Sequence, residues 1–233
     1  MGNCSARFYV LIMIKLTPRL QAVASLVRQG RRLADIGTDH AYLPAYLVLK
    51  GVVPSAIASD LREGPLDNAR ATVRENGIEN QIELRISDGF DCLYYSEADD
   101  YVLAGMGGIL MSELLSRAEW LKNPDLHLIL QPQSHAEYVR RFLSENGFEI
   151  QNEICVNEGE RLYIAFDAYF TGRAEKRDDY YYYFGTLPDN EDENSKEYVK
   201  RLTARLEKEK QALKESGHDY SHIDRILGGN ING

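Results

Sequence analysis

A chain of 233 residues is long enough for one substantial core and an appendage, and too short for two equal domains. Its formal charge of −9 argues against a protein that binds a polyanion over its whole surface, because phosphate contacts draw on lysine and arginine; a local basic patch stays open. The three cysteines, Cys4, Cys92 and Cys155, stand far apart without CxxC or Cys/His spacing, which speaks against a disulfide framework or a zinc site and for a reducing cytoplasm.

The opening MGNCSA has Ala6 where a myristoylation signal wants Ser or Thr. The apolar run from Phe8 to Ile14 is too short to span a bilayer, so no membrane association is implied. Residues 1–12 are expected to be an extension, with the working domain starting near Met13 or Leu16. Leu16 to Gln29 reads as a helix with Leu20, Val23, Ala24 and Val27 on one face, ended by Gly30. A strand is expected at Leu33 to Ile36, a helix from Ala41 to Lys50, a strand at Ala56 to Ser59 and a helix from Pro65 to Asn76. Ile82 to Ile86 alternates as a third strand, and Tyr101 to Ala104 is a short apolar fourth. Ile109 to Arg117 is helical, Leu126 to Leu130 is a fifth strand, and Ala136 to Glu145 is a helix ended by Asn146-Gly147. Phe148 to Val156 and Leu162 to Phe170, separated by Glu158-Gly159-Glu160, read as an antiparallel hairpin.

Alternating strand and helix give an α/β domain over residues 13–170: a Rossmann-like parallel sheet with helices on both faces. The terminal hairpin after five parallel strands is the class I methyltransferase order, and it sets this pattern apart from dinucleotide-binding relatives. Residues 171–195, rich in Asp, Glu, Asn and Tyr, read as a linker or loosely packed bridge. Residues 196–233 read as a helical tail: a long charged helix from Lys196 to Ser216 with a near-heptad stripe of Val199, Leu202, Leu206 and Leu213 interrupted by Glu209, a break at Gly217, and a shorter arm carrying Tyr220, Ile223, Ile226 and Leu227. Together they suggest a coiled-coil-like helical hairpin. Basic residues cluster at Arg28, Arg31 and Arg32, at Arg140 and Arg141, and at Lys196, Lys200, Arg201 and Arg205; solvated helix faces also produce such clusters.

The strongest chemical signal is LADIGTDHAYLP, Leu33 to Pro44. A strand runs into Asp35-Ile36-Gly37, where glycine lets the backbone approach a ligand closely. The positions that would complete a GxGxxG pyrophosphate fingerprint hold Asp39 and Tyr42. An anionic side chain in that turn suits a cationic ligand, and S-adenosylmethionine carries both a sulfonium and an α-amino group. Asp60, 23 residues after Gly37, is placed to accept two ribose hydroxyls. Asp88, with Gly89 behind it in ISDGF, is placed to accept the adenine amine. Each could instead cap the following helix. LAGMGG, Leu103 to Gly108, lacks the Asn/Asp-Pro-Pro-aromatic segment that many base N-methyltransferases carry there. It offers a glycine floor with Met106 as its one bulky residue.

DIGTDHAYLP, SDGF, AGMGG and the QPQ of Gln131 to Gln133, with the opening LTPRLQAVASLV, resemble the bacterial tRNA (adenine-22-N1)-methyltransferase family over about residues 13–170. Gln133 stands where that family's pattern suggests Asn. The resemblance implies a Rossmann-like catalytic domain followed by a coiled-coil-like tail, with S-adenosylmethionine as methyl donor, tRNA as substrate, no metal and no protein partner. It puts Gly37, Asp60, Asp88, Gly89, Gly105 and Met106 around the donor, with Arg19 toward its carboxylate. Adenine N1 has a free lone pair once unpaired, so the expected chemistry is base flipping, stacking and in-line alignment. Asp39 is then the carboxylate for the developing cationic ring, and His40 and Tyr42 position or stack the base; packing of the first sheet helix is their structural alternative. Outside this reading stand a methyltransferase for a small molecule, which the acidic charge favours, and a donor-binding scaffold without chemistry.

Overall fold

The computed structural model describes residues 14–228. The expected extension over residues 1–12, with Cys4 in it and Met13 after it, lies outside the described residues, as do residues 229–233. The elements are α1 (Pro18–Leu26), β1 (Leu33–Ile36), α2 (Tyr42–Leu49), β2 (Ala56–Asp60), α3 (Glu63–Glu75), β3 (Ile82–Ile86), β4 (Asp100–Gly107), α4 (Gly108–Arg117), β5 (His127–Ser134), α5 (Ala136–Glu145), β6 (Phe148–Glu158) and β7 (Arg161–Phe170). The strands form one sheet in the order β3-β2-β1-β4-β5-β7-β6, with β7 antiparallel to both of its neighbours and the first five strands parallel.

Period-two alternation sorts the side chains into two cores. Leu33, Val102, Ile129 and Ala165 point to the face covered by α1, α2 and α3, where they meet Val23, Leu47 and Val73. Ala34, Tyr101, Leu103, Leu128, Leu130 and Phe166 point to the other face, against Met111, Leu114, Val139 and Leu143 of α4 and α5. Both faces are buried, which is why the parallel strands read as continuous apolar runs.

Three elements depart from the expected spans. α1 ends at Leu26 because Val27 turns extended, and the Arg28 N–H and guanidinium are held by the Asp100 carboxylate at 2.8 and 2.7 Å. β4 continues through Ala104-Gly105-Met106-Gly107, and β5 continues through Gln131-Pro132-Gln133-Ser134, the two staying paired with shifted register. The Gln131–Gln133 segment is therefore strand rather than loop. Ladder hydrogen bonding depends on backbone geometry, and the irregular register accommodates Pro132.

The stretch 171–195 is not a loose bridge. It contains α6 (Asp179–Phe184) and a single 3₁₀ turn, Leu187–Asp189, and it buries Tyr182, Phe184, Leu187 and Ser195 completely or nearly so. Arg140 of α5, fully buried, anchors it: its Nε donates to Glu153 Oε1 at 2.9 Å and its Nη1 donates to the Tyr182 and Tyr183 carbonyls. Glu153 Oε2 accepts the Thr186 N–H at 2.8 Å. The expected Arg140–Arg141 surface cluster is thus a buried strut beside an arginine paired with Asp179.

The tail forms as its spacing predicts. α7 (Glu193–Glu215) is capped by the Asp192 side chain, which accepts the Ser195 N–H. Gly217 ends it, and α8 (Ser221–Gly228) folds back. Leu202, Leu206, Ile223 and Ile226 are buried together with Phe184, with Val199 and Leu213 at the margin. Within the described residues no helix is long and apolar enough to cross a membrane.

Candidate active site

β1 sits between β2 on one side and β4 on the other, so the connections leaving it diverge and open a crevice at the carboxyl ends of the strands. A cavity of about 360 Å³ lies there. Its lining includes Arg19, Asp35, Gly37, Asp39, Tyr42 and Gly105, with Thr38, His40 and Gln133 beside them. The structure thus brings together Arg19, Gly37, Asp39, His40, Tyr42 and Gly105 from the residues singled out in sequence.

The turn after β1 is built on backbone contacts and strain. Gly37 and Thr38 both donate to the Ser59 carbonyl, at 2.8 and 2.9 Å, which ties the turn to β2. Gly37 has φ of +77°, and a Cβ there would lie 3.3 Å from Met106 Cε, so the Met106 side chain packs close behind the glycine without itself lining the cavity. Asp39 and Ala41 are both left-handed, with φ of 54°. Two such non-glycine residues around one histidine store strain, and such strain concentrates at functional turns. The Asp39 carboxylate lies 3.6 Å from His40 Nε2 and is largely exposed. The His40 and Tyr42 rings are stacked, with centroids 5.0 Å apart and planes 4° from parallel, and Tyr42 is 45% exposed. A flat aromatic ledge therefore stands at the cavity mouth.

Asp35 is buried in the cavity floor. Burial pushes its carboxyl up to about 6, the Thr38 hydroxyl bonding at 2.6 Å opposes that rise, and the charge of Asp60 adds to it. A single acid within an otherwise apolar strand is the one sequence signal for this residue.

On the far wall, Gly105 at φ +85° leaves room for the Arg19 guanidinium, whose Nη1 a Cβ would approach to 3.4 Å. Arg19 reaches the site because Thr17 caps α1 and Pro18 starts it. Its own N–H donates to Glu158, and its guanidinium lies over the Tyr163 ring. Gln131, fully buried, accepts from both Arg19 and Gly105. A glutamine directly after the apolar run Leu126–Leu130 is the one sequence signal for it.

Asp60, Asp88 and Gly89 lie outside this cavity, along the ends of β2 and β3. One Asp60 carboxylate oxygen accepts the Arg62 N–H at 3.1 Å, and the other has no hydrogen-bond partner among the described residues. Asp88 is exposed and paired with Arg117 at 3.2 Å. Gly89 is buried at φ of +57°, and a Cβ on it would collide with the Leu114 side chain of α4, so its left-handed backbone and its packing against α4 both call for glycine. The Arg28 and Arg32 guanidiniums pair with Asp100 and Asp99 at the opposite end of the sheet. No cluster of His, Cys, Asp and Glu suited to a metal occurs among the described residues.

A parallel sheet of this strand order with its lone antiparallel strand at the second-to-last position, and an acid-floored crevice beside β1, define a class I methyltransferase. The family model described as a methyltransferase domain matches residues 16–166. The chain is 37% identical over 150 residues to the tRNA (adenine(22)-N(1))-methyltransferase of Bacillus subtilis strain 168, a match that spans 64% of this chain and 63% of that enzyme's length. Its fold superposes on the crystal structure of the B. subtilis m1A22 tRNA methyltransferase TrmK with a TM-score of 0.81 at 26% identity, covering 92% of this chain and 94% of that one. Streptococcus pneumoniae Sp1610, solved in complex with S-adenosyl-L-methionine, gives 0.78 at 30% identity over 91% and 97% of the two chains. The chain belongs to the methyltransferase-domain family.

Proposed function

We propose that this protein transfers a methyl group from S-adenosylmethionine to N1 of adenine 22 in tRNA, in the cytoplasm. The observation that carries the reading is one cavity that holds two acids, Asp35 and Asp39, a side-chain-free glycine wall and an exposed pair of stacked rings. The acids suit a cationic donor, the glycines allow close approach, and the ledge suits a flipped base. The B. subtilis relative is a tRNA (adenine(22)-N(1))-methyltransferase, which supports this reading.

When bound, the donor supplies an electrophilic methyl on sulfonium: the N1–carbon bond forms as the carbon–sulfur bond breaks, with that electron pair going to sulfur. Arg19 holds the donor carboxylate, Gly37, Gly105 and Met106 shape its seat, and Asp60 and Asp88 take its ribose and adenine. His40 and Tyr42 stack the target adenine so that N1 faces the methyl in line. Asp39 stabilises the positive charge that moves onto the ring. N1 attacks with its own lone pair, so the chain supplies neither a general base nor a metal.

The test is transfer of tritium from labelled donor to bulk tRNA, followed by mapping of the modified position. Label at N1 of adenine 22 is expected. The net charge of −9 favours a small-molecule acceptor instead. Label recovered in a small molecule and absent from tRNA would replace the proposed substrate.

A further inference from the structure

A second cavity, about 340 Å³, lies between the tip of the β6–β7 hairpin and α7. Its lining includes Gln133, Arg161, Tyr163, Tyr198, Arg201 and Arg205, and Glu160 is its one acidic residue among those described. Three guanidinium groups from two separate elements thus converge on one groove in a chain whose overall charge is −9.

The three arginines differ. Arg201 braces the groove: its Nη1 donates to the Glu160 carbonyl at 2.8 Å and its Nε to Glu197 at 2.8 Å, tying α7 to the hairpin turn. The Arg161 and Arg205 guanidiniums are exposed and have no hydrogen-bond or ion-pair partner among the described residues. Their five donors each are available to a ligand. Of the tail lysines, Lys196 and Lys200 pair with Glu191 and Glu197 and do not line the groove.

The groove adjoins the reaction site. Gln133 lines both cavities, and Tyr163 in the groove wall lies under the Arg19 guanidinium that borders the donor pocket. A polymer that threads one nucleotide into the reaction cavity leaves its flanking backbone at this rim, and guanidinium forks match phosphate oxygens in pairs.

We infer that the groove between the β6–β7 turn and α7 binds the backbone phosphates of the RNA strand beside the reacting nucleotide, with Arg161 and Arg205 as the phosphate ligands. The inference rests on the reading of tRNA as substrate and adds where the strand enters. It divides the tail's charge by role: Arg205 contacts RNA, Arg201 holds the hairpin and helix together, and Lys196 and Lys200 solvate the helix.

The test compares the full-length wild type with Arg161→Glu/Arg205→Glu and Arg161→Lys/Arg205→Lys. Measured are tRNA affinity as a function of salt, donor affinity by calorimetry, and methyl transfer to tRNA. The Glu pair should raise the KM for tRNA by about tenfold or more and flatten the slope of log Kd against log salt by roughly 1.5, the loss of two phosphate contacts. Donor affinity should stay at the wild-type value, and the Lys pair should keep most of the slope. If the wild type methylates tRNA and the Glu pair matches it in affinity, slope and KM, the groove assignment is wrong and the substrate reading stands. If the Glu pair loses donor affinity as well, the groove is part of the donor site and the inference is overturned. Binding of poly-glutamate that the Glu pair abolishes, with tRNA affinity unchanged, would assign the groove to an acidic protein instead. A wild type that neither binds nor methylates tRNA would remove both readings.

Discussion

Arg19 and Gln131, 112 positions apart in sequence, meet beneath the glycine wall: Arg19 Nη1 donates to Gln131 Oε1 at 2.7 Å. The same oxygen accepts the Gly105 N–H at 3.1 Å, and Gln131 Nε2 donates to the Pro132 carbonyl. One buried amide therefore aims the arginine and pins the irregular end of β4. Replacing it with leucine leaves the Gly105 N–H without a partner, a loss of about 1–3 kcal/mol for a buried polar group. Gln131→Leu should weaken donor binding by roughly tenfold while the fold persists. Calorimetry giving wild-type affinity would show that Arg19 needs no such brace.

Asp35 couples the site to pH. Its carboxyl titrates at about 6 in the folded protein against an ordinary value of 3.8, so the native state holds the proton more tightly than the unfolded chain. The stability this supplies is fully present below the unfolded value and is lost as pH rises through 6; near neutrality the ionised group costs about 3 kcal/mol. Asp35→Asn should accordingly raise Tm at neutral pH, with the advantage shrinking as pH falls below 6 and gone only below the unfolded value of 3.8. Donor binding should also strengthen as wild-type Asp35 ionises and take up this dependence from it, leaving the Asn variant flat across the same range. Equal pH profiles for the two proteins would detach Asp35 from the donor.

Asp60 and Asp88 should contribute unequally. Asp60 has one carboxylate oxygen without a partner, whereas Asp88 must give up Arg117 to meet a ligand. A hydrogen bond to a charged group is worth about 1.5–3 kcal/mol, so Asp60→Ala should weaken donor affinity by about tenfold or more and Asp88→Ala by less. Both variants should melt near the wild type, since neither carboxylate is buried in the core. Unchanged donor affinity in both would move the ribose and adenine elsewhere.

Asp39→Asn keeps shape and removes charge. With Asp39 exposed beside His40 and held in a strained turn, its effect should fall on the chemical step. At saturating donor and tRNA the single-turnover rate should drop by roughly 10²-fold, the scale of losing one electrostatic stabiliser. A rate near that of the wild type would reduce Asp39 to a folding residue and leave the ring pair of His40 and Tyr42 as the remaining chemistry-bearing side chains of the turn.

Much of this molecule is local, and local features are legible. β1 and β3 stand where the apolar spacing puts them, α5 ends at Glu145 before Asn146-Gly147, and the hairpin turns at Gly159-Glu160. Those boundaries follow from side-chain periodicity and turn chemistry within a few residues of each position. The DIGTDHAY turn is local too, so Gly37, Asp39, His40 and Tyr42 come out of the sequence as one group and stay together in the cavity.

What the sequence by itself determined, then, is the strand-helix alternation, the turn that lines the cavity, its glycines and the stripe of α7. What only the tertiary structure decided is which distant polar residues meet. Arg140 reads as surface charge and is the buried anchor of 171–195, because Glu153 and the Tyr182 and Tyr183 carbonyls satisfy it where water is excluded. Gln131 reads as a loop residue and is the amide that aims Arg19. Asp35 reads as the end of a strand and becomes a titrating floor, since only the packed sheet strips it of water and sets Asp60 nearby. Partners of a buried polar group are chosen by three-dimensional proximity, and periodicity along the chain carries no record of them.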